Sequence, residues 1–117
     1  MLRKRLIDSY WNARKSLASG DLMSSIQYLE AYSNELPEDI AYEPHYWLVK
    51  QYLIAGDFEN AYESACIYLE GCTPAHAALK AKLFSGWFQE KKSMNYSFAL
   101  LRLSGKYQQI QKESRKK

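Results

Sequence analysis

Three groups of side chains in this sequence have types and spacing that bear on chemistry: two histidines, two cysteines, and a pairing of tyrosine with a cation that occurs twice. His45 and His76 each follow closely on a proline, about thirty residues apart, with no Cys, Asp or Glu at metal-ligand spacing. Both read as exposed residues at helix starts. Cys66 and Cys72 stand six apart on one expected helix, where i and i+6 point to different faces, so free thiols are expected. Cys66, between Ala65 and Ile67, reads as a small apolar filler. The glycines at 20, 56, 71, 86 and 105 never cluster into a phosphate-cradling loop, and no Ser-His-acid order on strand turns emerges from the many serines. Glu38, Asp39 and Glu43 read as solvated charge in a connection. The expectation is a protein that is not an enzyme and uses no metal or cofactor.

The tyrosine and cation doublets carry more. Tyr10 precedes Arg14 by four residues and Tyr46 precedes Lys50 by four, a spacing that puts both members on one helix face. Leu17 and Leu53 follow on the same sides, and Lys82 extends the row of cations where a third tyrosine is missing.

The two doublets are copies of one another. Sliding the sequence on itself by thirty-six residues pairs Tyr10 with Tyr46, Trp11 with Trp47, Arg14 with Lys50, Leu17 with Leu53, Gly20 with Gly56 and Asp21 with Asp57. The same offset pairs Leu22 with Phe58, Ser25 with Ala61 and Tyr32 with Tyr68. Within each copy the apolar residues recur at helical spacing in two runs split by the Gly-Asp. Leu6, Ile7, Tyr10, Trp11, Arg14 through its stem, Leu17 and Ala18 make one stripe; Leu22, Ile26, Leu29, Tyr32 and Leu36 make the next. Gly20 and Gly56 suit a left-handed residue closing the first helix, and Asp21 and Asp57 suit the N-cap of the second. Pro44 fits the first turn of its helix, and Pro37 and Pro74 fall near the ends of the two copies. A third copy is decayed: Leu83 replaces Trp47, Lys92-Ser93 replace Gly56-Asp57, Met94 replaces Phe58 and Ser97 replaces Ala61. Its second helix, from Asn95 through Phe98, Leu101, Leu103, Tyr107 and Ile110, has one apolar stripe and a polar outer face, with Gly105 a candidate kink or stop.

This pattern resembles the tetratricopeptide repeat: a period near the family's, an aromatic early in the first helix, Gly-Asp before an aromatic or leucine, a small residue three to four positions on, and a closing proline. Tyr52, Gly56, Asp57, Phe58, Ala61 and Pro74 carry the resemblance in the second copy, and Gly20, Asp21, Leu22, Ser25, Leu29 and Pro37 in the first. The usual Leu-Gly pair of the first helix is absent. The resemblance implies an all-α fold, an α-α superhelix or solenoid of about three antiparallel helix pairs, hence six helices, in one domain spanning 1–117. Repeat 1 covers about 3–38, repeat 2 about 42–74, a degenerate third repeat with capping helix about 75–112, and a basic tail 113–117. It further implies a shallow concave surface lined by the first helix of each pair. That places Tyr10, Arg14, Leu17, Tyr46, Lys50, Leu53 and Lys82 as partner-binding residues, the cations holding carboxylates and the tyrosines and leucines packing apolar side chains. A second reading has Tyr10 and Tyr46 filling the seam between helix pairs, with Trp11 and Trp47 deeper in it. Ten tyrosines, several at inter-helix stations such as Tyr28, Tyr32, Tyr62 and Tyr68, exceed what a small core needs, so some are expected as exposed contacts.

Composition bounds the function. A chain of 117 residues, 47% of them hydrophobic, supports one cooperative domain. No apolar run approaches a membrane span, and Met1-Leu2-Arg3-Lys4-Arg5 leads to polar Asp8, Ser9 and Asn12 instead of a signal-peptide core, so a cytoplasmic location is expected. The net charge of +3 hides segregation: residues 1–20 carry five bases against Asp8, residues 21–74 ten acids against Lys50, and residues 75–117 ten bases against Glu90 and Glu113. Such a field suits partner steering, head-to-tail self-association or merely solvated faces. Three functions therefore stand. The first is a protein-binding adaptor or chaperone, similar to the small tetratricopeptide chaperones of bacterial secretion, taking a peptide or helix with acidic and apolar groups. The second is nucleic-acid binding through the basic ends, against which the acidic middle argues. The third is a homo-oligomer whose basic end docks on a neighbour's acidic middle.

Overall fold

A computed structural model describes the backbone of residues 2–115 and the side chains of residues 8–114. The basic start at Arg3 to Arg5, the apolar Leu6 and Ile7, and the closing Arg115, Lys116 and Lys117 lie outside the described side chains. Among the described residues the fold is all-helical, with six helices and no strand: α1 (Leu2–Ala18), α2 (Leu22–Glu35), α3 (His45–Ala55), α4 (Phe58–Gly71), α5 (Pro74–Glu90) and α6 (Met94–Arg115). No helix among them is long and apolar enough to cross a membrane. The chain forms two compact units, residues 1–71 and residues 72–117.

In the first unit, α1 packs on α2, α2 on α3 and α3 on α4. Helical spacing delivers Ala13, Ile26, Leu29 and Leu48 to one buried cluster, with Leu22 and Tyr52 packed against it. Each hairpin turns on the same device. Gly20 adopts φ +84° and Gly56 φ +77°, left-handed conformations that cost a residue with a side chain about 1–2 kcal/mol. Around them the backbone bonds repeat: the Asp21 amide donates to the Ser16 carbonyl at 2.8 Å and the Asp57 amide to the Tyr52 carbonyl at 2.9 Å. Each aspartate then caps the following helix, Asp21 Oδ1 accepting from the Ser24 amide and Asp57 Oδ1 from the Asn60 amide, both at 3.2 Å. Asp21's carboxyl is held below its ordinary value by the side chain of Ser24 and by its backbone amide.

In the second unit, Thr73 caps α5 by accepting from the His76 amide, and Pro74 takes the first helical position. The proline that closes the second repeat in sequence thus opens a helix. Ser85 Oγ lies 2.9 Å from the Ser97 carbonyl and 2.8 Å from Ser97 Oγ, and Ser104 Oγ donates to the Ala78 carbonyl at 2.8 Å, so three buried serines tie α6 to α5. Ser97 is buried as fully as Ser25 and Ala61, its partners at the thirty-six-residue offset. Gly105 does not stop α6, which runs on to Arg115; the bond from neighbouring Ser104 to α5 offsets the glycine's weak helix preference.

The third turn keeps the geometry that its residues disfavour. Lys92 has φ +63° at the station of Gly20 and Gly56, and the Ser93 amide donates to the Phe88 carbonyl at 2.9 Å, the same closing bond. A lysine held there carries strain that a glycine would relieve. Lys92→Gly is expected to raise the unfolding free energy by about 1 kcal/mol, and Gly20→Ala to lower it by a similar amount. Urea unfolding midpoints at unchanged slope measure both.

Candidate functional site

Helix α1 has one face that holds Tyr10, Arg14 and Leu17, and the structure brings these three together on one wall of a groove of about 260 Å³ in the first unit. Ala13 lies between them, Ser25 and Leu29 of α2 contribute another wall, and α3 adds Trp47 and Gln51. Arg14 is the charged residue of this lining; its guanidinium donates to the Tyr10 hydroxyl at 3.0 Å and lies 5.8 Å from the ring centroids of both Tyr10 and Trp11. Those contacts pre-order a long side chain that stays solvent-exposed.

The copy on α3 has the same internal geometry but a different exposure. Lys50 Nζ sits 5.2 Å from the Tyr46 ring centroid and 5.0 Å from that of Trp47, as Arg14 does over Tyr10 and Trp11. Tyr46 and Lys50 are half-buried and do not line the groove, and Leu53 is 5% exposed and belongs to the core. Lys82 is exposed on α5 of the second unit. Of the seven residues expected to bind a partner, the groove therefore gathers the three of α1.

The tyrosines and tryptophans divide by geometry. Tyr10 packs against Tyr32 at 5.7 Å between centroids, and Tyr46 against Tyr68 at 5.6 Å, both at 50° between planes. The tyrosines thus fill the seams inside each hairpin, and Tyr10 reaches the groove as well. Trp11 and Trp47 are each 52% exposed, which corrects their expected place deep in the seam. Neighbouring helix residues point about 100° apart, so only one ring of each Tyr-Trp pair can enter. The outer one packs edge-on against the tyrosine, at 69° in the first copy and 90° in the second.

Two groove residues escaped the sequence reading. Ser25 and Gln51 are buried, and Ser25 Oγ and Gln51 Oε1 have no hydrogen-bond partner among the described residues. Ser25 could have been noticed as the polar member of a pair whose copy is Ala61. Gln51 stands at no repeated station and gave no signal.

A second concavity of about 210 Å³ opens in the same unit, and His45 is among the residues that line it. His45 is not the exposed helix-start residue expected, because its ring bridges α2 and α4. Ser33 Oγ donates its one proton to the Ala41 carbonyl at 2.6 Å, so at the 3.2 Å contact with His45 it can only accept, and Nε2 must carry the hydrogen. Nδ1 is then an acceptor, 3.3 Å from Ser64 Oγ. Burial pushes the imidazole below its ordinary value of 6.5, opposed by the charge of Glu63. Across the cavity Tyr52 donates its hydroxyl to Glu30, whose carboxyl is raised by burial.

No disulfide joins Cys66 and Cys72; Cys72 lies just past the end of α4, and burial pushes the Cys66 thiol up, away from the reactive thiolate. No cluster of three His, Cys, Asp or Glu able to hold a metal occurs among the described residues. No protein-family profile, curated protein or solved structure matches this chain.

The folded protein keeps His45 neutral at pH values where the unfolded chain takes up a proton, so stability falls as the pH drops through 6.5 and levels off below the folded value. In urea titrations across that range the wild type is expected to lose stability more steeply than His45→Gln, which keeps a donor and an acceptor without the titration. Parallel slopes would refute the assignment.

Proposed function

We propose that this chain is a non-catalytic protein-binding module, an adaptor or small chaperone of tetratricopeptide-like build. Its groove takes a partner segment that combines carboxylates with apolar side chains. The observation that carries the reading is the pre-ordered Arg14, bonded to the Tyr10 hydroxyl and close to the Tyr10 and Trp11 rings, in a groove that also holds apolar Leu17, Leu29 and Trp47. An arginine held in place beside aromatic area gives up little freedom on binding and offers charge-assisted hydrogen bonds to a carboxylate. Lys50, resting on the Trp47 ring, adds a second cation next to that groove. The solenoid build is supported by three hairpins closed by one backbone turn at one spacing, since stacked copies of a helix pair bury a shared seam that a single pair cannot.

Selection from a random peptide display library tests this reading. The wild type is expected to enrich sequences with acidic residues beside leucine, isoleucine or aromatic residues. Arg14→Glu combined with Lys50→Glu is expected to lose that enrichment or shift it toward basic sequences. An unchanged set from the variant, or no enrichment by the wild type, overturns the proposal.

A further inference from the structure

The thirty-six-residue offset, applied twice, sets Met94, Phe98, Leu101 and Gly105 of α6 at the stations of Leu22, Ile26, Leu29 and Ser33 of α2. On α2 those stations hold a neighbouring helix. Leu22, Ile26 and Leu29 pack with Leu48 and Tyr52 of α3, and Ser33 meets the His45 ring of the same helix. On α6 the three counterparts are again apolar but lie open, Met94 38%, Phe98 51% and Leu101 45% exposed, against 3% for Ile26 and 5% for Leu29. Steps of four, three and four residues keep the row on one helix face, and nothing stands within 4 Å of where a Cβ on Gly105 would project. Large apolar side chains exposed in a row, and not singly, mark an interaction surface. The flank of the row is basic. Arg102 lies four residues beyond Phe98, Lys106 four beyond Arg102, and Lys112 seven beyond Gly105, all three exposed. Among the described residues of α6 the one acid is Glu113, near its end.

We propose that this face of α6 docks an amphipathic helix of a partner protein, one that carries leucine-like residues along a single stripe and carboxylates beside it. A helix is the occupant because the same stations of α2 take α3, which presents Leu48 and Tyr52, four residues apart, to Leu22, Ile26 and Leu29. The partner's carboxylates meet Arg102, Lys106 and Lys112. A second copy of this chain offering the same face would set those bases against one another, so charge selects a different protein. Gly105 leaves room for a partner side chain to approach the α6 backbone. The face belongs to the second unit and the Arg14 groove to the first, so neither site needs the other.

Nuclear magnetic resonance titration of the full chain, labelled at its methionine methyl groups, tests this, because Met94 lies in the row and Met23, exposed on α2 of the first unit, is an internal control. Three peptides held helical by a side-chain cross-link serve as probes. One has leucines on a single stripe with glutamates beside it, one has the same leucines with lysines, and one scrambles the first so that its leucines ring the helix. The glutamate peptide is expected to shift Met94 and not Met23, and to bind about three- to tenfold more tightly than the lysine peptide at low salt, a margin that shrinks as salt is added. Phe98→Gln combined with Leu101→Gln is expected to weaken its binding at least about tenfold. Gly105→Glu, which favours the helix and fits the open space, weakens it too by placing a like charge in the gap. Arg14→Glu combined with Lys50→Glu leaves it unchanged. Equal binding of the lysine or scrambled peptide, binding that survives both α6 variants, or no shift at Met94 overturns the proposal. So does a chain that sediments as a dimer by itself and returns to monomer in the Phe98 and Leu101 variant, which makes a second copy the occupant. Each of these results leaves the display selection, which reads the groove, to stand or fall by itself.

Discussion

Every hairpin in this chain depends on a single residue held at positive φ, because only that conformation lets the amide after it reach back to the carbonyl five residues earlier. Gly20 and Gly56 adopt it freely, and Lys92 adopts it at a cost. Once the turn is made, the second helix returns along the first and the small residues of α5 and α6 come close enough for Ser85 and Ser97 to touch. The survival of that turn at Lys92 shows how far packing can override a local preference. The bonds from Ser85 and Ser104 across the α5 and α6 pair are what hold it.

The groove follows from a choice made twice at the start of a helix pair. A tyrosine and a tryptophan stand side by side, and the tyrosine enters the seam against Tyr32 or Tyr68. The tryptophan is left outside, where a cation settles on it. The two copies then diverge: α1 keeps its tyrosine and arginine on the open wall, whereas α3 offers the Trp47 side of its pair and turns Leu53 into the core. Duplication of residues has therefore not produced a second copy of the groove within this unit.

The polar interior has two unlike solutions. At His45 each ring nitrogen and each flanking serine finds a role, a closed chain from the Ala41 carbonyl through Ser33 and the imidazole to Ser64 that joins three helices and their connection. Such a network fixes one arrangement because every member is satisfied. At Ser25 and Gln51 the same kind of groups stand unmet. A structural role accounts for the first set.

The sequence by itself determined the helices and turns of the first two hairpins, since a helical apolar period, a Gly-Asp pair and its copy are local signals that need no distant partner to be read; the third turn, at Lys92, carries no such signal and was legible only through the repeat offset. It also put Tyr10, Arg14 and Leu17 on one face, because helical spacing alone does so. It left undecided which ring of each Tyr-Trp pair enters the seam, whether Leu53 lies in a groove or in the core, and that His45 bridges two serines 12 and 19 residues away in the chain. Those outcomes depend on which faces of α2, α3 and α4 meet, and residues that far apart in sequence carry no mark of their contact until the helices pack.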